Sequence, residues 1–149
     1  MIAAQKGYIE LVSEILSKEA WVNHGDSDSK IALQYAIDNK VENLDVVNLL
    51  VEQGADLDHQ TTSDGFTPLM FAVNRGHGNI TRTLVDQGAK LDKTEFNNQN
   101  TALHIACSRG EKGIVQILAS EQTFNHIFNK ANKDGHLAID IAEEKFMEV

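Results

Sequence analysis

The chain has 149 residues, a hydrophobic share of 42% and a formal net charge of −9. This length suits one domain with a continuous core. The negative charge argues against sequence-independent binding of nucleic acid, which needs a basic surface, and against docking on anionic membranes. The sequence has no apolar run long enough for membrane insertion, and its lone cysteine, Cys107, cannot form an internal disulfide. We therefore expect an intracellular, cytoplasmic protein that binds neither nucleic acid nor membranes.

A repeated unit of about 34 residues runs along the chain. Thr67 and Thr101 are 34 residues apart, whereas Leu33 and Leu69 are 36 residues apart. The clearest copies occupy 31–55, 67–89 and 101–123. A fixed period of this size predicts stacked supersecondary units, because each unit is too small to bury its apolar face alone.

Within the copy that begins at Thr67, the sequence predicts two short helices. Thr67-Pro68 begins the first, since threonine can cap a helix and proline is tolerated at its first position. The glycines of 76–78 end it, and a second helix follows over 79–87. Gly88-Ala89 ends the second helix, and the polar stretch 90–100 leads to the next unit. Each unit is thus predicted to be a helix–turn–helix hairpin with a polar connection.

These motifs resemble those of the ankyrin-repeat family. The resemblance rests on Thr67-Pro68-Leu69, on the Asp64-Gly65 turn before it, and on the endings Gly54-Ala55 and Gly88-Ala89. It implies an all-α ankyrin-repeat solenoid of helix–turn–helix units with polar β-turn connections. A four-helix bundle is the alternative, but such a bundle has no reason to repeat its turn chemistry.

About five units fit this pattern, the first and last of them partial. The predicted boundaries are 1–24, 25–60, 61–94, 95–130 and 131–149. The second unit has a longer inter-helix turn around 40–43, and the fourth has Asn98-Gln99 where the third has Asp64-Gly65. The apolar end of the chain, with Phe146, Met147 and Val149, is typical of an interior unit. We therefore expect either a segment of a longer protein or an atypical cap.

No catalytic or metal-binding motif stands out. His104 and Cys107 are three residues apart on one predicted helix, a spacing that permits a nucleophile pair. The structural interpretation is favoured: the resemblance implies that His104 hydrogen-bonds between neighbouring units, a role that Met70 cannot fill in the preceding one. The six histidines lack any metal-ligand spacing, and most are expected in exposed loops; they are His24, His59, His77, His104, His126 and His136. We expect no cofactor, no small-molecule substrate and no enzyme activity.

The resemblance implies a partner-binding surface formed by the turn tips and the exposed side of each first helix. We call the corresponding residues the candidate strip. They are Asp28, Lys30, Asp38, Asn39, Ser63, Asp64, Phe66, Asn74, Arg75, Asn97, Asn98, Asn100, Ser108, Arg109, Lys133 and His136. Each turn is expected to be one residue longer than the family's usual form.

Three residues of the candidate strip suggest specific contacts. Phe66 is either an exposed aromatic anchor or a cover for its own turn. Arg75 and Arg109 occupy equivalent positions in adjacent units, so they either lie side by side to bind a carboxylate or pair with Asp64 or Asp38.

The function predicted from the sequence is a monomeric, non-catalytic scaffold or adaptor that binds another protein or peptide through its concave surface. Two alternatives remain open at this point. The chain could position substrate for, or regulate, a larger enzyme, or it could be an ankyrin-repeat effector of an intracellular bacterium.

Overall fold

The computed structural model describes residues 1–18, 21–119 and 127–147. Of residues 146 and 147 it describes the backbone only. Every regular element in these ranges is a helix. The helices are α1 (Ile2–Lys6), α2 (Ile9–Ser17), α3 (Ala32–Ile37), α4 (Leu44–Glu52), α5 (Pro68–Arg75), α6 (Gly78–Asp86), α7 (Ala102–Arg109), α8 (Lys112–Leu118) and α9 (Ala138–Met147). The all-α prediction is confirmed. The side chains of Phe146 and Met147, and the whole of Val149, lie outside the described residues.

The helix ends have the local chemistry that the sequence predicts. The Thr67 hydroxyl accepts a hydrogen bond from the backbone N–H of Met70, and Pro68 occupies the first helical position of α5. The helix stops at Gly76, whose φ of 74° is left-handed and disfavours any residue with a side chain. Thr101 caps α7 in the same way. Helices of this length are marginal alone, so packing must stabilise them.

The helices pack as two parallel rows. One row runs α1, α3, α5, α7 and α9, each helix contacting the next, and the other runs α2, α4, α6 and α8. Within each unit the two helices also contact each other, as α5 does α6 and α7 does α8. Among the described residues, these helix contacts lie within one unit or join neighbouring units, which is the arrangement of a helical solenoid.

Equivalent residues of successive units form one continuous core. Leu33, Leu69 and Leu103 are almost fully buried at matching positions of α3, α5 and α7. The alanines three residues further on, Ala36, Ala72 and Ala106, are fully buried as well and allow the first-row helices to approach closely.

Within the described ranges, no helix combines the length and apolar composition that a membrane span requires.

Candidate protein-binding surface

The turn tips of four successive units form a hydrogen-bonded row. The backbone N–H of Thr62 donates to the carbonyl of Asp28 at 3.0 Å, and that of Phe96 donates to Asp64 at 2.8 Å. The N–H of Lys133 donates to Asn98 at 2.8 Å. The tips are therefore joined from the second unit to the fifth. The structure brings Asp28, Asp64, Asn98 and Lys133 of the candidate strip into one row.

Each turn is held by an acceptor side chain at its first residue. Asp26 accepts the N–H groups of Asp28 and Lys30, each at 2.9 Å. Glu95 is only 4% exposed, and its carboxylate accepts from Asn97 (2.7 Å), Asn98 (2.9 Å) and Asn100 (3.0 Å). A buried carboxylate is tolerated here because backbone donors satisfy it. Glu95 therefore positions all three asparagines of the fourth tip.

The turns are not of one length, so the expectation of a uniformly longer turn is wrong. The closing hydrogen bonds join 26 to 30 and 132 to 136, but 61 to 66 and 95 to 100. The third and fourth units hold one residue more between the closing pair than the second and fifth. Glu95 accounts for this in the fourth unit, because its long side chain reaches three N–H groups inside the wider turn.

Asp28 links the second tip to the third through its side chain. One carboxylate oxygen accepts from the Thr62 hydroxyl (2.8 Å) and the Ser63 N–H (2.7 Å), and the other accepts from the Ser63 hydroxyl (2.8 Å). These bonds, led by those from the Thr62 and Ser63 side chains, hold the pKa of Asp28 below its ordinary value. Asp28 is thus a charged, fixed part of the tip row.

A cation lies between two aromatic rings at the start of α3. The ammonium of Lys30 is 4.7 Å from the ring centre of Tyr35 and 4.6 Å from that of Phe71. The Tyr35 hydroxyl donates to Asp26, which lowers the pKa of Asp26 and raises the pKa of Tyr35. Lys30 of the candidate strip is therefore held in place by the structure around it.

The contacts of Arg75 and Arg109 show whether each arginine pairs with a carboxylate of the protein itself. Arg75 donates to Asp38 from Nε at 2.7 Å, so its pairing with Asp38 is confirmed. Arg109 reaches only the side-chain oxygen of Asn74, at 3.5 Å. Both arginines remain exposed. Each arginine therefore reaches back to the preceding unit, Arg75 to a carboxylate and Arg109 to an amide oxygen.

Of the two interpretations of Phe66, a cover for its own unit agrees with the structure, and an exposed anchor does not. Its ring is half-buried and packs edge-to-face on Phe71, with centroids 5.4 Å apart. The exposed aromatic of the tip row is Phe96, at 56%. Sequence reasoning missed Phe96 because the strip used only the positions of Ser63, Asp64 and Phe66, whereas Phe96 is equivalent to Thr62.

The sixteen residues of the candidate strip divide by exposure. Those on the surface are Ser63, Asn74, Arg75, Asn97, Asn98, Ser108, Arg109, Lys133 and His136. Those half-buried are Asp28, Lys30, Asp38, Asn39, Asp64, Phe66 and Asn100. Asn39 is largely occupied within the protein, since its side chain donates to the carbonyl of Gln5 and its own carbonyl bonds His77 at 2.9 Å.

His104 has the inter-unit role that the resemblance implies. Its Nδ1 bonds Thr101, and its Nε2 lies 3.1 Å from the carbonyl of His136 in the next unit. Gln34, which sequence reasoning missed, does the same in the second unit by donating to the carbonyl of Phe66 at 3.0 Å. Met70 is buried at the equivalent position of the third unit and has no such donor. The sequence signal for this role was the position of Gln34, three residues after the N-cap Ile31, just as His104 follows Thr101.

The expectation that most histidines are exposed is not met among the described histidines, of which only His24 and His136 are exposed. His77 is 6% exposed and bonds the carbonyl of Asn39, and the half-buried His59 bonds the carbonyl of Ser29 at 2.6 Å. A loop position does not imply solvent contact here, because the His59 ring satisfies a carbonyl of its own unit and the His77 ring one of the preceding unit. His24 and His136 are exposed, and His126 lies outside the described residues.

The His104–Cys107 pair has the properties of a packed core. Cys107 is buried, and burial raises the pKa of its thiol to about 11. Because the thiolate is the nucleophilic form, a raised pKa favours the less reactive thiol of Cys107 near neutral pH. Across the described part of the chain, no group of three or more His, Cys, Asp or Glu side chains is arranged to hold a metal ion.

Comparison with known proteins agrees with this architecture. Residues 1–61 and 42–130 match the family model described as Ankyrin repeats (3 copies), so the chain belongs to the ankyrin-repeat family. Members of this family are generally protein–protein interaction modules. The chain is also similar to the potassium channel AKT1 of rice, Oryza sativa subsp. indica and subsp. japonica. In both cases 34% of 79 residues are identical, covering 53% of this chain and 8% of the channel.

Proposed function

We propose that the chain binds a partner protein through the candidate strip, without catalysing a reaction. The observation that supports the proposal is the row of tips, in which backbone hydrogen bonds join four successive units. A surface held in place before binding loses little conformational freedom when the partner arrives, so weak contacts can add up to useful affinity. Membership of a family that generally binds proteins supports the same conclusion.

The arginines next to Asn74 are the proposed centre of this surface. Arg109 has no carboxylate within ion-pair distance among the described residues, and Arg75 shares Asp38 with Lys30. A partner carboxylate placed between the two guanidinium groups would gain charge-assisted hydrogen bonds. We propose that the partner is a protein segment with at least one acidic side chain at this point.

The test is a pull-down from cell lysate that compares three forms of the chain. The strip variant is Arg75→Ala/Arg109→Ala. The matched control is Lys18→Ala/Arg82→Ala, which removes the same charge from exposed positions on the second row of helices. A partner bound through the candidate strip should be retained by the control and lost or reduced with the strip variant.

Once a partner is recovered, its affinity is measured for all three purified proteins. We expect the strip variant to lose on the order of 2 kcal/mol of binding free energy, as central interface arginines do, and the control to change little. Equal affinity of the strip variant and the control would rule out this surface as the binding site.

A further inference from the structure

Three lysines and an exposed aromatic line a cleft that the candidate strip does not include. The cleft has a volume of about 480 Å³ and lies beside the connection between α6 and α7. Lys90, Lys93 and Lys130 contribute cations, and Phe96 contributes an aromatic ring. We call it the lysine cleft.

The charge of the lysine cleft is opposite to that of the whole chain. The protein has 22 acidic and 13 basic residues, yet three lysines and one acidic residue, Asp92, line this cleft. Lys90 is 3.7 Å from Asp58, and the Lys130 ammonium donates to the backbone carbonyl of Asp92. Among the residues that the structure describes, Lys93 has no ion pair. The local excess of positive charge is therefore available to an incoming anion.

The walls of the lysine cleft are fixed by hydrogen bonds between units. Gln60, which lines the cleft, donates to the carbonyl of Gly65 at 2.8 Å and to that of Thr94 at 3.0 Å. The N–H of Lys90 donates to Asp58 at 2.7 Å. A cleft that is already ordered imposes a smaller entropy cost on binding.

Glycine at position 65 explains why the Phe96 ring is on the surface. A Cβ atom on Gly65 would lie 2.6 Å from this ring, so the ring rests directly on the glycine backbone. The other face of an aromatic supported in this way is available for contact, and Phe96 is 56% exposed. Phe96 thus provides an apolar platform beside three cations.

We propose that the lysine cleft binds an acidic peptide segment of a partner protein, with carboxylates on the lysines and one apolar side chain on Phe96. The complementarity of charge selects carboxylates, and the aromatic platform selects a segment with an apolar residue among them. The proposal does not depend on the candidate strip, because none of the strip residues supplies the cations or the ring.

A titration with synthetic peptides tests the proposal. The probe is a glutamate-rich peptide with one phenylalanine, and its control is the same peptide with glutamine for every glutamate. Because the whole chain is negatively charged, its long-range field repels the acidic probe, so binding reports a local site. We expect the acidic peptide to bind with a steep dependence on salt and the glutamine peptide not to bind.

Variants locate the contact. Lys90→Gln/Lys93→Gln/Lys130→Gln should weaken binding of the acidic peptide by about tenfold, as expected when about three exposed charge pairs are lost. Lys18→Gln/Lys40→Gln/Lys145→Gln changes the net charge equally at exposed positions elsewhere and should not weaken it. The strip variant Arg75→Ala/Arg109→Ala should bind the acidic peptide normally, which separates this proposal from the proposed function.

Chemical shifts of the unaltered protein give a readout that does not depend on the variants' folding. Titration with the acidic peptide should move the amide signals of Lys93, Thr94 and Phe96 more than those of Asn74 and Ser108. The proposal is overturned if the cleft variant and the lysine control bind the acidic peptide equally, or if the glutamine peptide binds as tightly as the acidic one. It is also overturned if the shifts centre on Asn74, or if the acidic peptide does not bind at low salt.

Discussion

Asp38 and Arg75 join the second unit to the third through a single carboxylate oxygen. Oδ1 of Asp38 lies 2.7 Å from Nε and 2.6 Å from a terminal nitrogen of Arg75, while Oδ2 accepts from Lys30 at 2.6 Å. The Asp38 side chain is only 22% exposed, so water screens this network less than a free surface pair. One carboxylate therefore orients both cations at this end of the candidate strip.

Replacing this carboxylate should cost stability. We expect Asp38→Asn to lower the free energy of unfolding by about 1 kcal/mol, because two cations lose their shared partner. Asp86→Asn, which removes the same charge from an exposed position on α6, should change it by less than about 0.5 kcal/mol. Urea denaturation measures both, and equal effects of the two substitutions would show that the network contributes nothing.

The units and the binding surface differed in how far the sequence could predict them. Thr67-Pro68 and Gly76 specify helix ends by local chemistry, so the helices follow from short-range rules. The lysine cleft does not follow from short-range rules, because its cations come from connections that are far apart in the sequence, at Lys90 and at Lys130. Nor could the sequence choose between the two interpretations of Phe66, because whether its ring is exposed depends on Phe71, a partner that periodicity does not reveal.

Two tips have a side chain where the others have glycine. Gln99 has a φ of 56° and Ser29 a φ of 57°, both in the left-handed region, whereas Gly65 and Gly135 occupy the comparable positions. A residue with a side chain is strained there by roughly 1 kcal/mol, which is partly offset by the greater freedom of glycine in the unfolded chain. We therefore expect Gln99→Gly to stabilise the protein by about 0.5 kcal/mol, as measured by its urea midpoint.

The reverse change at the third tip is the matched control. Gly65→Gln should destabilise the protein by about 2 kcal/mol, since it adds the same strain and forces the Phe96 ring away from a Cβ at 2.6 Å. If Gln99→Gly instead lowers stability, then the Gln99 side chain makes a contribution that outweighs its backbone strain.

His104 should couple stability to pH through its burial. Desolvation lowers the pKa of His104 below its ordinary 6.5; the hydrogen bond to the His136 carbonyl opposes this shift, and the nearby Lys130 charge adds to it. As the pH falls below about 6.5, the unfolded chain takes up a proton that the folded chain resists, so stability decreases. His104→Gln should remove this part of the decrease, and His24→Gln at an exposed position should leave it.

At neutral pH, the loss of stability in two variants of His104 distinguishes the contribution of its hydrogen bonds from that of its packed ring. His104→Ala should cost about 3 kcal/mol, because it leaves a cavity, removes the acceptor of the buried Thr101 N–H and removes one of two hydrogen bonds to the His136 carbonyl. His104→Gln should cost about 1 kcal/mol or less, since Gln34 already reaches the equivalent carbonyl of its neighbour. Thermal and urea unfolding across the pH range measure both variants, and equal losses for Ala and Gln would contradict a hydrogen-bonding role.

Asp28 should control the order of the third tip. Its carboxylate accepts the N–H and the hydroxyl of Ser63, so Asp28→Ala should expose the Ser63 amide to faster hydrogen exchange. The Thr62 amide should change less, because it bonds the backbone carbonyl of residue 28, which the substitution keeps. Asp134→Ala in the fifth tip is the control and should leave both amides unchanged.

The hydrogen bonds of the Asp28 carboxylate also predict how the Ser63 amide signal changes as the pH is lowered. The Thr62 and Ser63 hydrogen bonds lower the pKa of Asp28 beneath its ordinary 3.8, so the ionised carboxylate holds the tip at any higher pH. This contribution is present above pH 3.8 and is lost only as the pH falls through the lower pKa of the folded protein. The Ser63 amide signal should therefore stay constant down to about pH 4 and move below it. A Ser63 signal that shifts between pH 7 and pH 5, or that is unchanged by Asp28→Ala, would mean that the carboxylate does not hold the tip.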